Sequence, residues 1–292
     1  MTLTRVLTAL VLIPVVVFLV LFTPTWVVAI ATAVITVLAL REYFALGDAI
    51  GHRAYRLWTI FCSILLSSKA LGSWIIDRSV PATFPVTESK INVVTLVVTA
   101  FSETTLFFAF VLGITVITLF TRRPLVETLS SAGISSSALL LVAYPLSFAV
   151  PLHHVSPQGP GLLLFALTII WASDTVAYFV GRAIGKHPLA PKISPKKTWE
   201  GSVAAMLGSL GVAYGFHFWL TISLSHLLIM AALGNIAGQM GDLLESACKR
   251  SAGVKDSGGL LPGHGGVLDR IDALILCIPV IWYYLVLVNP QP

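Results

Sequence analysis

Four aspartates stand where this chain runs through or enters apolar sequence: Asp174 within one run, Asp242 near the end of a second, and Asp269 and Asp272 at the start of a third. On a helix Asp242, Glu245 and Lys249 fall at i, i+3 and i+7 and share a face; Asp269 and Asp272 are three apart and do the same. An acidic side chain deep in a bilayer costs roughly 2.5–3.5 kcal/mol, so acids at such places call for a polar cavity or cations. Asp242, Asp269 and Asp272 together make an oxygen donor set for Mg²⁺, with room for a second cation. The blander readings are a salt-bridged interfacial turn for the first group, and helix capping by Asp269 with a snorkelling Arg270 for the second.

Between these acids lies Ser251 to Gly266, with five glycines between Gly258 and Gly266. Glycines allow close backbone approach, and Lys249, Arg250 and Lys255 supply countercharge, as a phosphate-binding loop requires. A second cluster surrounds Asp174: Ser173 and Thr175 flank it, and Lys196 and Lys197 follow within Ser194-Pro195-Lys196-Lys197-Thr198-Trp199-Glu200-Gly201. Ser194 and Pro195 read as the cap and first residue of a helix whose free amides would face an anion. A cationic loop that merely sets topology is the alternative. His153, His154 and His187 show no ligand pattern, and the scattered Cys62, Cys248 and Cys277 read as packing residues rather than a disulfide or zinc set.

The elements that must position these groups are membrane helices. Of 292 residues, 57% are hydrophobic and 11% charged, and the apolar runs reach the length that spans a bilayer. Nine spans are expected, at about 5–22, 25–45, 56–76, 92–120, 134–151, 161–181, 202–220, 225–247 and 271–288, giving an all-α polytopic membrane protein. The first run follows Arg5 like a signal peptide, but the next run begins so soon that a retained helix is expected. Fifteen of the 18 Lys and Arg (5, 41, 53, 56, 122, 123, 182, 186, 192, 196, 197, 249, 250, 255 and 270) fall on one side, leaving Lys69, Arg78 and Lys90 opposite. The positive-inside rule then gives N-in and C-out, with loops 182–201 and 248–270 in the cytoplasm. Basic residues confined to such loops argue against nucleic acid as a partner. Residues 1–133 are mainly membrane helices for packing, lipid access and subunit contact, and 134–292 carry the unusual polar groups.

The run Ser246-x2-Lys249-Arg250-x4-Lys255-Asp256-x-Gly258-x2-Leu261-Pro262-x-His264-Gly265-Gly266-Val267-x-Asp269-Arg270-Ile271-Asp272 resembles, over 27 positions, the signature of the phosphatidate cytidylyltransferases, or CDP-diacylglycerol synthases. Ser173-Asp174-Thr175 and Ser194 to Gly201 are similar to that family's second recurrent region. Cys248 replaces a larger apolar residue and Ala273 a frequent serine; neither removes a charge or a glycine. The resemblance implies transfer of a cytidylyl group from CTP to phosphatidate with Mg²⁺, by a homodimer in the cytoplasmic membrane of a bacterium, the site facing the cytoplasm. Asp242, Lys249, Asp269 and Asp272 would then be catalytic, the three aspartates holding metal; Asp174, Lys196, Lys197, Ser246, Arg250, Lys255, His264, Gly265, Gly266 and Arg270 would contact substrate. The rival readings are an ion-coupled transporter, since intramembrane acids also serve ion translocation, and a membrane phosphotransferase that consumes a CDP-lipid. Paired broken helices in two related halves would mark the transporter, and no such repeat is present.

Overall fold

The computed structural model describes residues 2–79, 102–155, 157–260 and 265–288. Helices α1 (Thr2–Phe22), α2 (Thr25–Ala49), α3 (Arg56–Ser79) and α4 (Glu103–Phe120) come first. A helical run from Leu125 to His154 follows, made of a short 3-10 turn, α5 (Thr128–Ala138), a π turn at Leu139–Ala143, α6 (Tyr144–Ser147) and α7 (Ala149–His154). The π turn sits just before Pro145, which has no amide to donate; there Tyr144 N–H reaches back to the Leu139 carbonyl. The chain continues with α8 (Gly159–Ile184), strands β1 (Pro188–Ala190) and β2 (Ser194–Thr198), α9 (Trp199–His217), α10 (Leu224–Ser251) and α11 (Leu268–Val288).

The protein is an all-α polytopic membrane protein. Six helical stretches are long and apolar enough to cross a bilayer: Thr25–Ala49, Glu103–Phe120, Leu125–His154, Gly159–Ile184, Leu224–Ser251 and Leu268–Val288. Leu10–Phe22 and Arg56–Ser68 are shorter apolar helices. The nine expected runs are therefore not nine equal spans among the described residues. The run at 202–220 forms the 19-residue α9, which is not among the six, and the run at 92–120 is described only from residue 102, where Ser102 caps α4 by accepting from Thr105 N–H at 3.2 Å.

Two compact units make up the chain: Thr25–Val150, and a second unit joining Met1–Pro24 to Pro151–Pro292. The helical run from Leu125 carries straight through 133, and α1 falls in one unit with the later helices. In the second unit α8, α9, α10 and α11 form the core, with α1 against α8.

Loop 182–201 departs from the expected helix start at Ser194. Pro188 pairs with Thr198 and Ala190 with Ser194 in an antiparallel hairpin, so Ser194 and Pro195 open a strand. A two-stranded ribbon consists only of edges, where the missing proline amide costs little. The cap moves to Thr198, whose hydroxyl accepts from Gly201 N–H at 3.2 Å and starts α9.

Candidate active site

Close helix packing brings the acids together. A Cβ on Gly241 would lie 2.5 Å from the Asp272 carbonyl oxygen, so only glycine lets α10 approach α11 there, beside Asp242 and Asp272. On the other side, a Cβ on Gly201 would lie 3.0 Å from the Ala177 carbonyl and 3.4 Å from Gly181 Cα, which sets α9 against α8. Between these contacts opens a cleft of about 710 Å³, lined by Asp174 and Tyr178 of α8, Lys196 and Lys197 of the hairpin, and Gln239 and Asp242 of α10. Lys197 forms an ion pair with Asp242, and Ser246 donates to the same carboxylate at 3.4 Å. Asp272 feels the charges of Asp242, Glu245 and Asp174, and Asp174 feels those of Asp242, Lys197 and Arg270. Asp174, Asp242 and Lys197 thus line one cleft, and Asp272 stands on the helix that packs against Gly241.

Two residues expected in the chemistry, Lys249 and Asp269, meet in an ion cluster. Lys249 is buried, paired with Glu245 one turn earlier and with Asp269 Oδ1 at 2.6 Å. Asp269 Oδ2 accepts from Ser257 N–H at 3.0 Å and Gly266 N–H at 2.8 Å. One carboxylate therefore ties the end of α10, the glycine-rich loop and the first turn of α11 together, and its place at a helix start adds the favourable dipole. Asp174 lines the cleft together with Asp242. Among the described residues no three His, Cys, Asp or Glu side chains close on a single point as a finished metal site. The donor chemistry of Asp174, Asp242 and Asp272 nevertheless fits a hard, oxygen-preferring cation, and Lys197 supplies positive charge to Asp242.

The remaining expected residues are distributed around this frame. Arg250 donates to the carbonyls of Val254 at 3.0 Å and Ile193 at 3.3 Å, pinning the hairpin turn to the end of α10. Helix α10 ends in a Schellman arrangement: Gly253, at φ 69°, donates to the Arg250 carbonyl, and Val254 to that of Lys249. Lys255 and Arg270 are exposed. Gly265, at φ 80°, is in the left-handed region, and a Cβ there would meet Asp269 Oδ2 at 2.7 Å. His264 lies outside the described residues. His153 is buried with Nε2 at 2.9 Å from the Val20 carbonyl, and Cys62 and Cys277 are buried in packing positions. His187 Nδ1 meets Glu200 Oε1 at 2.7 Å; the Glu200 amide and then His187 hold this carboxyl down at about 2.

A polar chain that sequence reasoning overlooked supports the cleft from below. Asn235, fully buried, donates to Ser173 Oγ and Ser209 Oγ, both at 2.8 Å; Gln239 donates to Asn235 Oδ1 at 2.6 Å, and Ser202 donates to Gln239 Oε1. The chain joins α8, α9 and α10, and its partners satisfy groups that would be costly to bury alone. Its signal was present: two carboxamides spaced i, i+4 on an apolar span, one helical turn before Asp242.

Parts of this chain are similar to known proteins. The chain is 36% identical over 162 residues to the phosphatidate cytidylyltransferase of Bacillus subtilis, covering 55% of this chain and 60% of that protein. It is 43% identical over 145 residues to that of Staphylococcus saprophyticus, covering 49% and 56%, and 43% identical over 137 residues to that of Haemophilus influenzae, covering 45% and 48%. These matches span about half of each relative's length. The profile of the cytidylyltransferase family matches residues 3–288, nearly the whole sequence, and the chain belongs to that family.

Proposed function

We propose that this protein is a phosphatidate cytidylyltransferase, converting CTP and phosphatidate into CDP-diacylglycerol and pyrophosphate in the cleft between α8, the hairpin, α9 and α10. The observation that carries the reading is a cleft lined by Asp174, Asp242, Lys196 and Lys197, with Asp272 on the helix packed against Gly241, between helices long enough to span a bilayer. Relatives bearing that activity's name support it.

A phosphate monoester oxygen of phosphatidate attacks the α-phosphorus of CTP, the new P–O bond forms, and the bond to the β-phosphate oxygen breaks to release pyrophosphate. The nucleophile is already anionic, so the site needs no strong base; it must hold two charged reactants in line and offset their repulsion. Lys196 and Lys197 face the cleft and supply cationic donors to phosphate oxygens. Asp242 fixes the Lys197 ammonium, while Lys249 and Asp269 hold the loop that ends at Gly266. Asp242 and Asp272, with Asp174 facing them, would hold Mg²⁺, which when bound offsets phosphate charge and stabilises the leaving pyrophosphate. The exposed Arg270 and Lys255 would add countercharge to substrate phosphates.

The distribution of Lys and Arg supports an N-in, C-out chain in a bacterial cytoplasmic membrane, with the cleft on the side where CTP is found. A homodimer belongs to the same proposal. The test is incubation of the purified protein with α-labelled CTP, phosphatidate and Mg²⁺ in vesicles. Label should enter lipid with one pyrophosphate released per event. Solute uptake into sealed vesicles without nucleotide turnover would replace this reading with a transporter.

A further inference from the structure

Within the Thr25–Val150 unit a second polar cleft, of about 1050 Å³, opens where three helices end. Asp48 at the end of α2, Arg53 in the connection that follows, Arg56 and Trp58 at the start of α3, and Arg123 and Glu127 beyond α4 line it. Arg56 pairs with Asp48. Arg123 is fixed differently: its guanidinium donates to the Arg53 carbonyl at 2.9 Å, to the Ala54 carbonyl at 3.4 Å and to Ser131 Oγ at 3.4 Å, and lies 5.2 Å from the centre of the Tyr55 ring. Those partners are neutral, so they orient the group without cancelling its charge. Arg53 is exposed, and among the described residues neither Arg53 nor Arg123 has a carboxylate partner.

Apolar side chains stand beside these arginines. Leu57, next to Arg56, is 87% exposed, and Leu125 and Val126, two and three residues after Arg123, are 83% and 87% exposed. Leu57 stands in the first turn of α3, and Leu125 and Val126 open the apolar Leu125–His154 stretch, so all three are at ends of apolar helical runs. A cationic pocket with neighbouring leucine and valine surface matches an amphiphile that carries phosphate at one end and hydrocarbon at the other. A free phosphate or nucleotide would use the arginines and leave the apolar surface idle.

We propose that this cleft is a binding site for the phosphate headgroup of an anionic phospholipid, with Arg53 and Arg123 on the phosphate and the acyl chains along Leu57 and Leu125. It lies in the unit that contains none of the groups assigned to nucleotidyl transfer, and it does not depend on that assignment.

The full chain, delipidated in detergent, is titrated with dioleoylphosphatidylglycerol, with dioleoylphosphatidylcholine and with inorganic phosphate, and bound molecules are counted by native mass spectrometry. Phosphatidylglycerol should be retained in preference to phosphatidylcholine, and Arg53→Gln should weaken that retention about tenfold or more, as loss of one charge-assisted phosphate contact predicts. Arg53→Lys should restore part of it. The Arg53 side chain makes no hydrogen bond among the described residues, and only its carbonyl receives Arg123, so the substitution leaves folding intact. Equal retention of the two lipids, or unchanged retention in Arg53→Gln, would overturn the proposal. Binding of inorganic phosphate with no preference for phosphatidylglycerol would also overturn it, in favour of a soluble anion.

Discussion

Gly241→Ala places a methyl group against the backbone of the neighbouring helix beside the proposed centre. The new Cβ would lie 2.5 Å from the Asp272 carbonyl oxygen, whereas ordinary contact begins at 3.4 Å, so α10 and α11 must separate locally by about 0.9 Å. The obstacle is main chain, which cannot rotate away as a side chain would. Asp242 and Asp272 sit immediately beside the wedge on the two helices, and a displacement of about 1 Å in a positioned site costs about 10²-fold in rate. Gly211→Ala is the control: it also replaces a helical glycine, but nothing lies within 4 Å of its Cβ, and it should stabilise α9 by about 0.5–1 kcal/mol. Both purified variants are assayed for transfer of labelled cytidylyl groups to lipid and for thermal unfolding. The expected result is a loss of about two orders of magnitude in Gly241→Ala, with monodisperse, folded protein, and full activity in Gly211→Ala. Wild-type turnover in Gly241→Ala, or equal loss in both, would refute the claim that this close approach sets the geometry.

Lys249→Met should lower stability by about 3–5 kcal/mol, because it leaves the buried Glu245 and Asp269 without their shared cation; thermal unfolding in detergent measures it, and an unchanged transition with only a raised KM would return Lys249 to the phosphate-binding role. Gln239→Leu strands Asn235 Oδ1 and the Ser202 hydroxyl and should cost about 1–3 kcal/mol, read in the same experiment; a neutral result would mean that the polar chain is dispensable. The Glu200 carboxyl should titrate near 2, below its ordinary 4.5, so its help to the hairpin is complete above 4.5 and fades as pH falls through 2. Carboxyl-carbon NMR should place the midpoint there and show it rising in His187→Ala; an ordinary midpoint in the native chain would dismiss the His187–Glu200 contact.

Much of the fold could be read from the sequence because bilayer-length apolar runs leave the backbone few options. The count of spans was harder, since α9 is long enough to cross a bilayer yet less apolar than the six stretches that qualify. The hairpin at Pro188–Thr198 was missed for a local reason: Ser-Pro is a good helix start, and only the pairing of Ala190 with Ser194 prevents it. In the site, i, i+3 spacing put Asp269 and Asp272 on one face but could not say which neighbour each would meet. Lys249 and two loop amides take up Asp269, while the approach at Gly241 sets Asp272 beside Asp242. Asp174 joins them from 68 residues upstream of Asp242, a proximity that depends on tertiary packing of α8 against α9 and α10.

In the proposed reaction the carboxylates of Asp242 and Asp272 serve nucleotidyl transfer. Asp272→Asn and Asp242→Asn keep side-chain size while removing charge, and each is assayed with α-labelled CTP, phosphatidate and Mg²⁺ in vesicles. Loss of about 10²-fold or more in rate, roughly 2.7 kcal/mol of transition-state stabilisation, in membrane-inserted variants that unfold at the wild-type temperature is the predicted result. Near-normal turnover in both variants would contradict it.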